Sequence, residues 1–543
     1  MACMKKIFLS FILVISGGLL LQAQTLESAN QFYYHERYQS AENAYHAVLN
    51  QQAEKPEAWL GLTKTYLAEE KIDKGFDTIL KAPVSIRENP LFQVALGSVL
   101  LYQGKKDKAA ELFTAALKET KEKDETVLGA IAQSYINLKN GDANYAISLL
   151  TKAIKRDKHN PAWIVLLGDA YRKLNNGTEA YKAYKEALDK NENYAAAYYK
   201  LGEIFLSQKN PDLYLEYFNK AIAADPDYAP ALYQLYVYNF YHDIARAFQL
   251  YNQYLAKSDP SIQNQYDLTD LFYLNKEYDK AIENANSLMA TQGNKLEPRI
   301  YKLLAYSYAE TKDSIKALRF MHDYFLKEED SNLVAKDFEL MAGLYANSSH
   351  KQDSALVYLE KAAGLQKDSA ALFNYYKKLA TMAKSNKDYA SEAKWMEKFY
   401  RGNDNATNVD LFNWGLANFL AQDFRMADSV FGMYVAKYPE QSFGYYWQAR
   451  SNASLDKDMK ESLAIPVYKK LIEVLQGDTT NANYKKWMVE AYAYLAAYEA
   501  NTQKDYNEAV DYFEKVLEVD PDNADAKRYI AILEKNNSTD GSK

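Results

Sequence analysis

The stretch LGDAYRKLNNGTEAYKAYKEAL, residues 167–188, decides how the rest of the chain reads. Leu167, Gly168 and Tyr171 recur on one side of a first helical pattern. Ala180, Tyr184 and Ala187 recur on one side of a second, with polar Asn175 and Asn176 between them. Steps of three and four residues place each set on one face of an α-helix. Two helices cross closely only where side chains are small, so Gly168 and Ala180 mark the crossing and the tyrosines fill the space beside it.

The same grammar extends in both directions. The small-residue slot is filled by Ala41, Gly75, Ala109, Ala146, Ala180, Ala247, Ala281, Ala317, Ala355, Ala393, Ala427, Ala464 and Ala509, with Tyr214 in the remaining position. Successive spacings are 34, 34, 37, 34, 34, 33, 34, 36, 38, 38, 34, 37 and 45 residues. A large apolar residue follows four positions later in most units, as at Tyr45, Phe113, Phe218, Met321 and Phe431. Pro226 and Pro521 stand after second helices, which a proline cannot continue. One helical hairpin cannot bury its apolar face alone, so such units must stack.

The pattern W-x2-L-G-x2-Y…A-x3-F…P in 34 residues is that of the tetratricopeptide repeat (TPR), and the chain resembles that family over Thr25 to Lys535. The resemblance implies an all-α fold: a right-handed superhelix, or α-solenoid, of about fourteen antiparallel helical hairpins. Tyr214 in a small slot predicts a splayed hairpin or an outward ring. The 38-residue spacings predict longer loops near His350 and Lys384. The 45-residue step predicts a long helix over Tyr484–Ala500 with a bend. The expected domain plan is a secretory signal over 1–23, an N-terminal array over 24–401, a candidate hinge over 402–408, a C-terminal array with a closing helix over 409–535, and a disordered tail over 536–543.

The signal reading rests on Lys5 and Lys6 followed by the apolar run Ile7–Leu21, too short for a membrane span, and on Ala23. It predicts an exported chain in the periplasm, peripheral attachment to either membrane included, with no span in the mature chain. The one cysteine, Cys3, precedes the apolar run, so disulfides and thiolate chemistry are not expected. The net charge of −7 argues against a nucleic-acid partner. The six histidines are scattered without ligand spacing, and Ser391-x-x-Lys394 lacks the other signatures of its enzyme class. No cofactor, metal or catalytic residue is therefore assigned.

Two features remain. Tyrosine is abundant, at 48 residues, and occurs in runs: Tyr33-Tyr34, Tyr198-Tyr199, Tyr233/Tyr236/Tyr238/Tyr241, Tyr375-Tyr376, Tyr445-Tyr446-Trp447 and Tyr492/Tyr494/Tyr498. Adjacent helical residues diverge by about 100°, so one ring of each pair is expected to leave the core. The resemblance places most runs on the first helix of each hairpin, which lines the concave groove. Tyr198, Tyr199, Tyr233, Tyr236, Tyr445, Tyr446 and Trp447 are thus candidates for gripping a partner protein of the cell envelope, with polysaccharide as the alternative ligand. An Asp-Ser/Thr tripeptide also recurs, at Thr78, Ser314, Ser354, Ser369, Ser429 and Thr479. It resembles an O-glycan acceptor of exported proteins in one group of Gram-negative bacteria; aspartate there equally suits a helix cap.

Overall fold

The computed structural model describes residues 25–346, 352–477 and 481–540. The expected signal over 1–23, Cys3, His350 and Thr479 lie outside them. Among the described residues the chain is helical throughout and falls into two compact units, one ending at Asn294 and the other beginning at Lys295.

Unit 1 contains α1 (Leu26–Tyr34), α2 (Tyr38–Gln51), α3 (Pro56–Ala68), α4 (Ile72–Ile79), α5 (Pro90–Tyr102), α6 (Lys106–Glu119), α7 (Glu125–Asn137), α8 (Ala143–Arg156), α9 (Pro161–Lys173), α10 (Gly177–Lys190), α11 (Ala195–Ser207), α12 (Pro211–Ala224), α13 (Ala229–Phe240), α14 (Ile244–Lys257), α15 (Ile262–Leu274) and α16 (Tyr278–Gln292). Unit 2 contains α17 (Arg299–Glu310), α18 (Ser314–Lys327), α19 (Ala335–Ala346), α20 (Gln352–Gly364), α21 (Ser369–Ser385), α22 (Tyr389–Gly402), α23 (Asn408–Leu420), α24 (Phe424–Lys437), α25 (Ser442–Leu455), α26 (Ile465–Gln476), α27 (Tyr484–Tyr498), α28 (Tyr506–Val519) and α29 (Ala524–Asp540). Each odd-numbered helix up to α27 packs on the even-numbered helix that follows it, and α29 closes the array. Fourteen hairpins and a closing helix result, as the small-residue register predicts.

Every small slot falls on the second helix of a hairpin or, at Ala464, on its N-cap, and the alanines there are buried. Large residues meet glycines across the crossing. A Cβ added at Gly168 would stand 2.3 Å from the Tyr184 ring, and one at Gly202 would stand 2.5 Å from Phe218. The tight turns between paired helices use a left-handed residue: Gly104 in one hairpin, but Glu36, Glu70, Asn175, Lys209, Lys276, Lys312, Lys387 and Gln422 in others. Second helices then start on a side-chain cap, as at Asp142, Asn176, Asn210, Asp243, Asp313, Asp388, Asp423 and Asp505.

Local expectations meet mixed outcomes. Tyr214 is only half-buried, its ring turned against Phe218 and Tyr238. The extra residues near Lys384 lengthen a helix, α21, rather than a loop. The bend after α27 is a π-helical turn over Glu499–Gln503 that ends on left-handed Lys504. The connection 402–408 lies inside unit 2, and α22 packs on α23 across it. Helix α29 continues to Asp540, past the expected start of the tail. No helix among the described residues is long and apolar enough to cross a membrane.

Candidate functional site

A buried phenol needs a partner for its hydroxyl. The tyrosines of second helices find one on a first helix. Tyr184 donates to Asp169 (2.7 Å), Tyr251 to Asp267 (3.1 Å) and Tyr45 to Asn30 (2.6 Å). Lysines of neighbouring first helices complete some of these contacts: Lys200 lies 3.8 Å from Asp169, and Lys302 lies 2.8 Å from the fully buried Asp337. Much of the tyrosine content is therefore core material with a polar end.

This corrects the expectation that one ring of each adjacent pair leaves the core. Tyr445 and Tyr446 are both buried, at 8% and 2% exposure. Helix α25 packs against α23, α24 and α26, so far more than one stripe of its surface is covered. Tyr446 stacks on Trp487 and donates to Glu490, while Trp447 is half-buried between Phe419 and Phe431. In unit 1, Tyr199 and Tyr236 are buried, Tyr198 is half-buried and Tyr233 is exposed. Of the seven groove candidates only Tyr198, Tyr233 and Trp447 present appreciable ring surface.

The tripeptide hydroxyls are dispersed. Asp313 and Asp368 do cap α18 and α21, accepting from the backbone N–H of Lys316 and Ala371. Asp77, Asp353 and Asp428 lie within helices. Ser314, Ser369 and Ser429 are exposed, whereas Thr78 and Ser354 are half-buried.

What the sequence does not announce is that unit 1 curls back on itself. First helices α1, α3, α5, α7, α9 and α11 pack in succession, and α1 then meets α11 again. The Tyr34 ring lies between Tyr194 and Tyr228, with centroids 5.6 and 5.3 Å away. Its hydroxyl accepts the N–H of Ala196 at 3.1 Å. His35 Nε2 stands 2.8 Å from Asp225 Oδ2, and the Ser40 N–H donates to Asp259 Oδ2 at 3.0 Å. The hydrogen-bonded partners are 162 to 219 residues apart in sequence, so no local signal could have found them.

The closure encloses a polar and aromatic cleft. A cavity of about 150 Å³ there is lined by His35, Glu36, Tyr199, Pro230, Tyr233 and Tyr254. Nearby, Arg172 pairs with Glu203 (2.7 Å), and so does Lys200 (2.9 Å). Burial acts to raise the Glu203 pKa, but Lys200 and Arg172 outweigh it and hold the carboxyl below its usual range. Burial raises Asp169 and Glu36, with Lys200 only partly offsetting it. Lys64 lies 5.0 Å above the Tyr33 ring and forms no ion pair among the described residues; burial lowers its pKa to about 8. The Tyr34 hydroxyl is pushed up to about 12 by burial, against the pull of the Ala196 N–H. The cleft thus offers aromatic faces with charges of both signs, a surface suited to peptide-like ligands.

Comparison with known proteins agrees with this architecture. The tetratricopeptide repeat profile matches residues 94–161 and 165–229 in unit 1, and a second tetratricopeptide repeat profile matches 491–523 in unit 2. A TPR repeat-containing protein of Methanocaldococcus jannaschii is 30% identical over 176 residues, which are 32% of this chain and 30% of that protein. The chain therefore matches less than a third of that relative's length. Among solved structures, the C-terminal part of a TPR repeat-containing protein from Cytophaga hutchinsonii is 28% identical, with 49% of this chain and 99% of that one covered and a TM-score of 0.30. A tetratricopeptide repeat protein from Parabacteroides merdae is 17% identical, with 48% and 98% covered and a TM-score of 0.28. With profile matches in both units and fourteen hairpins in the repeat register, the chain is built of tetratricopeptide-type repeats, a fold that serves as a protein-interaction scaffold.

Proposed function

We propose that this chain is a non-enzymatic periplasmic scaffold that holds a segment of an envelope protein against the first-helix face of unit 1. The observation that carries the reading is the cleft itself, where segments separated widely in sequence bring Glu36, Tyr199, Tyr233 and Tyr254 to one lining. Aromatic rings of this kind give contact area for little entropy loss, and charges of both signs set the orientation of a bound segment. The periplasmic part of the proposal rests on Lys5, Lys6 and the apolar run Ile7–Leu21.

The test is a crosslinking capture of the chain from its own cell envelope, beside a Tyr198→Ala/Tyr233→Ala variant. Those two rings are not buried, so helicity should be unchanged, whereas Tyr199 and Tyr236 are core and are left intact. A specific protein recovered with the parent and lost with the variant supports the scaffold. Glycan in place of protein supports the polysaccharide alternative, and the same proteins with both chains overturns the placement. N-terminal sequencing of the chain from the periplasmic fraction should begin near residue 24; recovery of the chain in the cytoplasm alone overturns the export proposal.

A further inference from the structure

The turn between α1 and α2 occupies the cleft as a bound peptide would. Tyr34 supplies an aromatic anchor between Tyr194 and Tyr228. His35, almost fully buried, faces Asp225, and Arg37 lies 3.5 Å from Asp259. Capping is exchanged across the contact. The N-cap of α11, Tyr194, makes no side-chain cap bond, and the Tyr34 hydroxyl takes the Ala196 N–H instead. The N-cap of α2, Arg37, makes none either, and Asp259 accepts from the Ser40 backbone and hydroxyl. The paired groups are complementary: His35 and Arg37 of the turn meet aspartates on the loops that receive it, while the turn's Glu36 lines the cleft.

The fit is incomplete. A void of about 150 Å³ remains between the turn and Tyr199, Pro230, Tyr233 and Tyr254. Arg37 Nε is buried without a hydrogen bond, its ion pair with Asp259 notwithstanding. Among the adjacent repeat helices the α1–α2 hairpin packs on α3 alone, so its remaining contacts are those of the turn with the cleft.

We propose that the cleft is a recognition site for a short aromatic–basic turn, that the chain's own Tyr34–Ser40 segment is its resident ligand, and that a partner segment of the same chemistry binds by displacing it. This rests on the reading of the first-helix face of unit 1 as the ligand surface and adds the ligand's chemistry and its competitor. A segment that filled the void and satisfied Asp225 and Asp259 with better geometry would outcompete the tethered turn despite the turn's high local concentration.

The probe is a fluorescein-labelled peptide with the sequence of residues 30–41, NQFYYHERYQSA, measured by anisotropy against full-length chains. Tyr34→Ala/His35→Ala/Arg37→Ala empties the site from the turn side. It should bind the probe at least tenfold tighter than the parent. Adding Asp225→Asn/Asp259→Asn should abolish the gain. His35→Ala/Arg37→Ala is the milder variant if the triple change lowers helicity, and should give a smaller gain of the same sign. Equal affinity of parent and variants, no binding to either variant, or equal binding of a scrambled peptide overturns the proposal. Any of these results, with the envelope capture still dependent on Tyr198 and Tyr233, discards the displaceable turn and leaves the scaffold in place.

Discussion

At the scale of single residues, the crossings are the most legible feature. Gly168 faces the Tyr184 ring at a distance that no Cβ tolerates, so Gly168→Ala should destabilise the protein by about 1–3 kcal/mol, read as a lower midpoint in thermal melts. Gly343, inside α19, faces open space. There Gly343→Ala removes a backbone-entropy cost and should stabilise by about 0.5–1 kcal/mol. Both residues are helical glycines in the sequence; only packing separates them. Lys64 is a second case. Its proton is held weakly, with a pKa of about 8, because burial disfavours the charge. Between pH 8 and 10.5 the unfolded chain retains a proton that folded Lys64 has shed, so stability contributed by this site rises with pH across that window. Lys64→Met should raise the melting temperature at pH 7, by on the order of 1–3 kcal/mol of stability, and remove the rise between pH 8 and 10. An unchanged pH profile would exclude this burial cost.

At the scale of elements, hairpins are set by caps and turns. Asp313 accepts from the Lys316 N–H at the start of α18, so Asp313→Ala should lower the denaturation midpoint; Asp428→Ala, within α24, removes no cap and should lower it less in the same series. Lys276 and Lys312 hold the left-handed turn position at φ of 62° and 64°. Glycine accepts that conformation without a Cβ penalty, and Lys312→Gly should be neutral or stabilising by up to about 1 kcal/mol. These positions are readable from the polar residues between helical faces. The long helix α21 is not: a 38-residue spacing fits an added loop as well as an added helical turn, and only packing chooses.

At the scale of the whole molecule, the tyrosines act together. Burial raises the hydroxyls of Tyr34, Tyr66, Tyr102, Tyr199, Tyr375 and Tyr446 to about 12 from an ordinary 10. Below pH 10 this stabilisation is fully present; as pH rises from 10 to 12 the unfolded chain ionises first and the fold loses it. Helix loss and tyrosinate absorbance should therefore appear together in an alkaline titration. Tyrosinate formed well before helix loss would show that the rings are not buried.

The sequence by itself determined the hairpin, its repeat length and its count, because a helical crossing admits only small residues and a 3.6-residue period shows which they are. It offered each Asp-Ser/Thr tripeptide as a capping position, and packing chose Asp313 and Asp368 among them while Asp77, Asp353 and Asp428 lie within helices. It could not determine which tyrosines stay at the surface. Tyr445 and Tyr446 diverge by about 100° and are both buried, because α25 is covered from several sides. Nor could it reveal that Tyr34, His35 and Ser40 meet residues up to 219 positions away, since that contact follows from a small rotation accumulated over successive hairpins. The repeat is a local property of the chain; the cleft and the turn that fills it belong to the tertiary structure alone.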